Sequence, residues 1–484
     1  MRRRPPIFFA ILIIFFLEKS TAQVKSYTPR LETCACAFKA DSTHKTTCAY
    51  LIVPENRNNP TGKTIKLPFI VVESNNPNKR HDPVLYTAGG PGASSLGGVR
   101  FIQEREFIKN RDYIAFEQRG TWYAQPRLNC PEVSEAIKES YRKGLNRDSL
   151  VLEAVKACRK RLEAQGIDLS AYNTIENAAD IEDLRETLHI DSLNLLGISY
   201  SGGLMLTVVR NFQAHLRSVV LDSPLPGFLN YEEFALSNIN QALDHIFDNC
   251  ERDSSNKALY GNLRQQFRNY FISIAGQAFY FNYKEKDHSD SIRIRYTRNE
   301  LIDVLTNDLS NNSRLKDLPF LITQLIHDIH QPYIRHYFDD IFAAGDNANG
   351  MRYSVYCSEQ IAFANQSIID QENDLFPWLA GYRFNNVTHQ ICNCWNVKPE
   401  PPVVKTPVLS NIPVLLGAGD TDPWCRPIFI DFIHQYLPNS WRLLFTDKTH
   451  APLLSTSEGD ELIAKFFDDP MQKIMTDDKK VLVY

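Results

Sequence analysis

The sequence predicts an α/β fold with a mostly parallel central sheet and an inserted helical cap. Three observations lead to this prediction: short apolar runs alternate with helical patterns in the first half, buried-strand signals fade in the middle, and core strands return near the end. With 484 residues, 43% of them hydrophobic and 23% charged, the chain is long enough to bury a sizeable core. Its formal net charge of -4 lacks the basic signature of nucleic-acid binding, so we expect no nucleic-acid partner.

The beginning of the chain has the features of an export signal. Arginines occupy positions 2–4, residues 7–17 are almost purely apolar, and Ser20-Thr21-Ala22 supplies small residues for cleavage. The apolar run is short for a membrane span, so we expect a secreted or periplasmic protein without stable membrane insertion. An uncleaved anchor is the alternative interpretation.

Export favours disulfide bonds for the 10 cysteines. Zinc binding is the alternative, but Cys392-Asn393-Cys394 lacks a matching pair at a known ligand spacing, and we expect no metal. Sequence alone does not fix connectivity. Local spacing suggests three pairs, two of them with a choice of partner: Cys34 or Cys36 with Cys48, Cys130 with Cys158, and Cys357 with Cys392 or Cys394.

The chain divides into four predicted segments. Residues 1–22 are the signal peptide, and residues 23–228 are the first part of the sheet-containing core. Residues 229–404 are rich in aromatic residues, asparagine and amphipathic helical patterns, which predicts the cap. Residues 405–484 return to the core and carry the loops discussed below.

Short apolar runs bounded by turn residues predict the strands, and apolar residues at helical spacing predict the helices. The predicted strands are Lys66–Val72, Pro83–Tyr86, Tyr113–Phe116, Leu193–Leu196, Ser218–Asp222, Pro413–Gly417 and Trp441–Phe445. The predicted core helices are Ser149–Gln165 and Asn177–Leu188.

A strand-to-helix turn carries the predicted nucleophile. The strand at 193–196 runs into Gly197-Ile198-Ser199-Tyr200-Ser201, and a helical pattern follows. A sharp turn with small flanking residues projects a serine hydroxyl at a helix N-terminus, which predicts Ser199 as an activated nucleophile. Ser201 replaces the usual second glycine and offers a rival register, and a turn without chemistry is the third interpretation.

A nucleophilic serine needs a base, and the base needs an orienting acid. Asp420 and Asp422 follow a predicted strand, with Asp422 preferred as the acid and Asp420 as the alternative. His450 follows the last predicted strand and is the predicted base, whereas His434 lies in a helical stretch and is interpreted as structural. The chain order of serine, acid and histidine is one that hydrolytic triads use.

Glycines after an earlier strand predict an oxyanion hole. Gly89-Gly90-Pro91-Gly92 follows the predicted strand at 83–86. Glycines let backbone N–H groups approach a substrate oxygen closely, so we expect Gly89, Gly90 and Tyr200 to supply the donors. A simple turn is the alternative interpretation of the glycine-rich segment.

Together these motifs resemble the proline iminopeptidase and tripeptidyl aminopeptidase family of α/β-hydrolases. The resemblance rests on Gly89–Gly92, Glu117-Gln118-Arg119-Gly120-Thr121, Leu221-Asp222-Ser223-Pro224 and the acid loop Gly419–Pro423. The sequence also departs from the family pattern. Ala88 stands where the iminopeptidases usually have histidine, and Ser201 and Trp122 replace glycines.

The resemblance implies an α/β-hydrolase fold and a secreted serine hydrolase of aminopeptidase type. Such an enzyme releases residues or short peptides from peptide N-termini through an acyl-enzyme, without a cofactor. It needs an anionic patch for the substrate ammonium group, for which Glu232, Glu233 and Glu359 are candidates, although ordinary solvated side chains are the simpler interpretation. An esterase or amidase acting on small substrates and a non-catalytic binding protein on a hydrolase scaffold are the alternatives.

Overall fold

The computed structural model describes residues 27–286, 288–345 and 348–484. The predicted export signal, residues 1–22, lies outside these ranges. Within them, no helix combines the length and the apolar character that a membrane span requires.

A ten-stranded sheet forms the centre of the described chain. Its strands are β1 (Arg30–Thr33), β2 (Thr46–Pro54), β3 (Thr64–Val72), β4 (Val84–Thr87), β5 (Tyr113–Phe116), β6 (Leu193–Ile198), β7 (Leu216–Asp222), β10 (Val414–Gly419), β11 (Ser440–Phe445) and β12 (Val481–Val483), while β8 (Phe279–Lys284) and β9 (Ser291–Tyr296) form a separate hairpin. The spatial order is β1-β2-β3-β5-β4-β6-β7-β10-β11-β12. The six strands from β5 to β11 in that order are mutually parallel, and the flanking strands are antiparallel.

Helices cover the sheet and build the segment inserted between β7 and β10. The α-helices of the described residues are α1 (Pro131–Lys143), α2 (Arg147–Ala164), α3 (Thr174–Thr187), α4 (Tyr200–Phe212), α5 (Ala235–Arg252), α6 (Ser254–Tyr260), α7 (Leu263–Ser273), α8 (Arg298–Leu309), α9 (Leu318–Ile326), α10 (Gln331–Ala343), α11 (Asn349–Glu359), α12 (Gln366–Leu375), α13 (His389–Trp395), α14 (Ile428–His434), α15 (Pro452–Ser455) and α16 (Ser457–Asp468). Short 3-10 helices lie at Leu96–Glu104, Glu106–Lys109, Leu169–Ala171, Gln213–His215, Tyr231–Glu233, Leu315–Asp317, Ile361–Phe363 and Pro402–Lys405.

The central strands are apolar on both faces because helices cover the sheet on both sides. Along β7, Val219 and Leu221 pack into one core cluster and Val220 into another. Along β6, Leu195 and Leu196 divide in the same way. Continuous apolar runs are the expected signature of parallel strands buried on both faces, and all seven predicted strands are confirmed as strands.

The inserted segment has its own hydrophobic core and is not purely helical. Aromatic side chains of α5, α7 and α10 pack together with the hairpin β8–β9. The sequence did not predict this hairpin. Phe281 and Tyr283 are buried while their neighbours along β8 are exposed, so the hairpin shows a short alternation and lacks a continuous apolar run.

Three disulfide bonds connect neighbouring elements. The bonds are Cys36–Cys48, Cys130–Cys158 and Cys357–Cys392, which settles the two choices of partner left by the sequence. Among the described residues, four cysteines are free thiols: Cys34, Cys250, Cys394 and Cys425. Cys394 lies in α13 of the inserted segment, and Cys425 lies in the loop that carries Asp422.

Candidate active site

The three predicted catalytic residues lie at the same edge of the sheet. Ser199 follows β6, Asp422 follows β10 and His450 follows β11. These strands are parallel members of the order β6-β7-β10-β11, so their carboxyl ends open on one crevice. Ligands of open α/β sheets bind at this edge.

Ser199 has a strained backbone at the start of α4. Its φ of 57° and ψ of -127° lie in a region that non-glycine residues rarely adopt. Three hydrogen bonds hold it there: its N–H donates to the Asp222 carbonyl oxygen (3.0 Å), and its own carbonyl accepts from the N–H groups of Gly202 (2.9 Å) and Leu225 (3.0 Å). The turn therefore presents the serine side chain at a helix N-terminus, where the helix dipole favours negative charge.

The tight turn explains the small residues around the serine. A Cβ atom at Gly197 would lie 2.8 Å from the Ser201 carbonyl oxygen. Ser201 itself is fully buried, and its hydroxyl accepts from the Ile198 N–H (2.8 Å) and donates to the Thr87 carbonyl oxygen (2.7 Å). Ser201 stands where glycine is expected, and its hydroxyl connects the turn to β4. Both of these hydrogen bonds are made to backbone groups of the protein.

Asp422 and His450 form a buried pair. The imidazole Nδ1 lies 2.8 Å from Asp422 Oδ2, and Oδ1 accepts from the N–H groups of Trp424 (2.8 Å) and Cys425 (3.0 Å). Burial opposes ionisation of Asp422, but His450 and these two amides together hold the pKa of the carboxyl below its usual range. Burial likewise opposes protonation of His450, yet the Asp422 charge raises the pKa of the imidazole above its ordinary value.

Asp420, the alternative acid, faces the cap. Its Oδ2 lies 3.1 Å from Nε2 of His245 on α5 and accepts from the Asp447 N–H at 3.1 Å. The carboxyl that contacts His450 is that of Asp422. His434 ends α14 and bonds to the Ser440 hydroxyl at 2.7 Å, in keeping with its interpretation as a structural residue.

The end of β7 fixes the histidine loop, a role that the sequence did not reveal. Asp222 accepts from the N–H groups of Leu453 (3.2 Å) and Leu454 (2.8 Å), and the Ser223 hydroxyl accepts from the Ala451 N–H (3.0 Å). Burial raises the pKa of Asp222 to about 7 in spite of these amides. Asp222 brings the two loops together, because its carboxylate holds the histidine loop while its backbone carbonyl accepts from the Ser199 N–H. A carboxylate at the end of an apolar strand was the available signal in the sequence.

The glycine-rich loop lies directly against Ser199. A Cβ atom at Gly89 would lie 2.8 Å from the Ser199 Cβ atom and 2.8 Å from the Ile198 carbonyl oxygen, so only glycine fits this approach. Gly90 follows it with a φ of 113°. Tyr200 is the first residue of α4, and first-turn N–H groups of a helix have no acceptor within the helix. Gly89 and Tyr200 thus border the serine, and Gly90 is the next residue of the loop.

Two side chains hold the residue before Gly89 on both sides. The Ala88 N–H donates to the Ser95 hydroxyl (2.9 Å), and Gln118 Nε2 donates to the Ala88 carbonyl oxygen (2.7 Å). The buried carboxylate of Glu117 accepts from the N–H of Ser95 (2.9 Å) and the hydroxyl of Ser94 (3.0 Å). The motif at 117–121 therefore supports the glycine loop, a function that its sequence alone does not suggest.

The three candidate ammonium-binding glutamates are each engaged within the protein. Glu232 accepts from Asn385 Nδ2 (2.7 Å), Glu233 from the Asn365 N–H (2.6 Å), and Glu359 from the Thr174 N–H (2.6 Å). Burial raises the pKa of Glu232 to about 7. The three glutamates thus have different hydrogen-bond partners.

Family comparisons agree with this architecture. The family described as "alpha/beta hydrolase fold" matches residues 82–324, and the family described as "TAP-like protein" matches residues 379–477. The tripeptidyl aminopeptidase of Streptomyces lividans is 27% identical over 192 residues, covering 36% of this chain and 35% of that protein. Carboxylesterase B of Mycobacterium tuberculosis is 27% identical over 216 residues, covering 42% of this chain and 41% of that protein.

The matched segment thus spans about a third of the length of the tripeptidyl aminopeptidase, at 35%. Among solved structures, the proline iminopeptidase of Mycobacterium smegmatis is similar with a TM-score of 0.41 and 12% identity, covering 87% of this chain and 98% of that one. The match to the first family extends over residues 82–324, half of the chain, and is complemented by the TAP-like match. The chain belongs to the α/β hydrolase family.

Proposed function

We propose that this chain is a serine hydrolase of aminopeptidase type that releases residues or short peptides from peptide N-termini. The observation that carries the proposal is the buried Asp422–His450 pair, with 2.8 Å between Oδ2 and Nδ1, at the edge where the strained Ser199 begins α4. Family membership and the tripeptidyl aminopeptidase relatives support the choice of a peptide substrate.

The proposed reaction is acyl transfer from the substrate to water. The Ser199 hydroxyl attacks the carbonyl carbon while His450 takes its proton, and Asp422 orients the imidazole and stabilises its charge. Backbone N–H groups of Gly89, Gly90 and Tyr200 stabilise the oxyanion. His450 then gives the proton to the leaving amine. In the second half of the reaction, water attacks the acyl carbon while His450 takes its proton, and His450 returns that proton to the Ser199 oxygen as the bond between this oxygen and the acyl group breaks.

Three disulfide bonds support the proposal of an exported protein, because such bonds persist in oxidising compartments. The proposed domain division keeps residues 229–404 as a cap between the two parts of the core. The substrate pocket lies where this cap faces the edge of the sheet that carries Ser199.

A panel of arylamides with free and blocked N-termini tests the proposed activity. We expect turnover of the free forms, a loss of activity on blocking the amine, and a fall in kcat on the order of 10⁶ in Ser199→Ala. Circular dichroism should show that Ser199→Ala keeps its fold. Equal turnover of blocked and free forms would contradict the aminopeptidase assignment.

Short acyl esters form a second arm of the same panel. One group of relatives is called carboxylesterase B, and a serine triad acts on esters as well as amides. We expect kcat/KM for the best arylamide with a free N-terminal amine to exceed kcat/KM for short acyl esters that have no free amine. Hydrolysis of esters without hydrolysis of arylamides would favour the esterase alternative.

A further inference from the structure

A cleft of about 820 Å³ opens onto His450 between the cap and the core. The cap side is formed by the end of α8, the loop that follows it, and α10, while His450 and Ser455 line the core side. Binding sites for organic ligands have volumes of about 300 to 1,000 Å³, so the cleft is large enough for several peptide residues or parts of them.

We propose that this cleft holds the leaving segment of the substrate, which is the peptide on the carboxyl side of the bond that is cut. The inference rests on the proposed function. When the tetrahedral intermediate collapses, the C–N bond breaks and its electron pair passes to the nitrogen. That nitrogen takes the proton from His450 Nε2, and the acyl group stays on Ser199 Oγ. The leaving nitrogen must therefore lie within hydrogen-bond reach of the imidazole, so the leaving chain begins beside His450.

The surroundings of His450 show where that chain can continue. Nδ1 is bonded to Asp422, and the Trp424 ring packs edge-on at 5.0 Å between ring centres. Trp424 is in turn stacked on Phe384 of the cap at 4.9 Å. These contacts occupy part of the imidazole's surroundings, whereas the cleft borders His450 from the side of α8 and α10.

One face of α10 provides the wall of the cleft. Tyr333, Tyr337 and Asp340 lie at spacings of four and three residues, which places them on the same side of a helix, and all line the cleft. Asp339 belongs to a neighbouring face, where its carboxylate accepts from the Tyr283 hydroxyl at 3.0 Å. The helix thus offers both test positions and a matched control.

The chemistry of the cleft suits a peptide. Asn307 and Asn311 line it, and a carboxamide offers both donors and acceptors to a peptide backbone. The charged side chains of the lining are the carboxylates of Asp308 and Asp340 and the guanidinium of Arg314, and the imidazoles of His336 and His450 also line the cleft. The excess of carboxylates predicts a preference for a basic residue in the leaving segment.

Asn312 fastens the cap wall of the cleft to the histidine loop. Its Oδ1 accepts from the Thr449 N–H at 2.9 Å, and its Nδ2 donates to the Ser455 hydroxyl at 3.0 Å. Thr449 immediately precedes His450 in the chain. The cap wall and the proposed base are therefore held in one relative position, as a site for the leaving chain requires.

Two substrates with the same N-terminal part test the inference. One is the best arylamide of the panel, and the other is an internally quenched peptide with at least four leaving residues. We expect Tyr333→Ala to lower the ratio of kcat/KM for the peptide to that for the arylamide by about fivefold to tenfold. Tyr280→Ala, which removes a 52% exposed tyrosine of β8 outside this cleft, should leave the ratio unchanged.

A charge-matched pair of variants gives an independent measurement. Leaving segments with lysine and with glutamate are compared, and we expect the lysine form to be favoured about twofold to threefold. Asp340→Asn should narrow this preference, whereas Asp339→Asn, the same change on the same helix, should preserve it. Both aspartates are exposed, so neither change is expected to disturb folding.

The outcomes separate the two proposals. The cleft assignment alone is overturned if arylamides are hydrolysed but Tyr333→Ala has the wild-type ratio of kcat/KM for the peptide to that for the arylamide. It is also overturned if Asp340→Asn leaves the preference for lysine intact. Absence of arylamide turnover by the wild type overturns the proposed function and the cleft assignment with it.

Discussion

At the scale of single residues, the environment of Ser199 explains why its motif is irregular. Ser201 occupies the position where a glycine is usual, and its buried hydroxyl bonds to the Thr87 carbonyl at 2.7 Å. The sequence predicted Ser199, Asp422 and His450 from residue type and chain order. It did not predict the supporting contacts of Asp222 or Ser95, because these depend on chain segments that only the fold brings together.

The charge of the Asp422–His450 pair predicts the pH dependence of activity. Acylation needs the neutral imidazole, and Asp422 raises the pKa of His450 in spite of burial. The value of kcat/KM should therefore fall as the pH drops through a pKa that lies above the usual histidine value of about 6.5. This fall of kcat/KM is measured with the best arylamide between about pH 5 and pH 9, which covers the range where histidine titrates.

Asp422→Asn is the matched variant for this measurement. Without the carboxylate charge, the protonated imidazolium of His450 is less stable and its pKa falls. The acidic limb of the kcat/KM profile should therefore move to lower pH. Activity at the plateau should also fall by roughly 10⁴-fold, because the amide favours the wrong tautomer. A limb at unchanged pH in Asp422→Asn would show that another group controls the profile.

At the scale of elements, the sheet was more predictable than the cap. Continuous apolar runs revealed the six buried parallel strands and the antiparallel β3 beside them, while β1, β2 and β12 at the antiparallel edges were missed. In the cap, the hairpin β8–β9 gives only a short alternation of buried and exposed residues. Helices of the cap follow ordinary amphipathic spacing, but their packing against the core is not encoded in local periodicity.

The loop after β4 offers a test of positioning at this scale. Gln118 is buried and donates to the Ala88 carbonyl oxygen at 2.7 Å, next to the proposed oxyanion residue Gly89. We expect Gln118→Leu to lower kcat by about tenfold with little change in KM, because oxyanion contacts strengthen in the transition state.

The exposed Gln125 provides the control for this change. Its Nε2 donates to the Tyr50 hydroxyl at 3.1 Å, away from the glycine loop. Gln125→Leu should retain the wild-type kcat and KM. A rise in KM with unchanged kcat in Gln118→Leu would mean that this side chain supports substrate binding and not the oxyanion loop.

At the scale of the whole molecule, the parallel sheet assembles a site from distant parts of the chain. Ser199 and His450 are separated by a long insertion, yet β6 and β11 end at the same edge of the sheet with only β7 and β10 between them. The order of the motifs allowed this assembly to be predicted. The position of the cap over the edge, and hence the cleft at His450, required the three-dimensional structure.

Mass spectrometry of the protein after reaction with a fluorophosphonate probe determines whether Ser199 is an activated nucleophile. We expect a single adduct on Ser199 in the wild type and no adduct in Ser199→Ala. The adduct on Ser199 should be retained in Ser201→Ala, since the Ser201 hydroxyl is engaged with Thr87 and Ile198. An adduct on Ser201, or equal labelling of the wild type and Ser199→Ala, would contradict the assignment of Ser199 as the nucleophile.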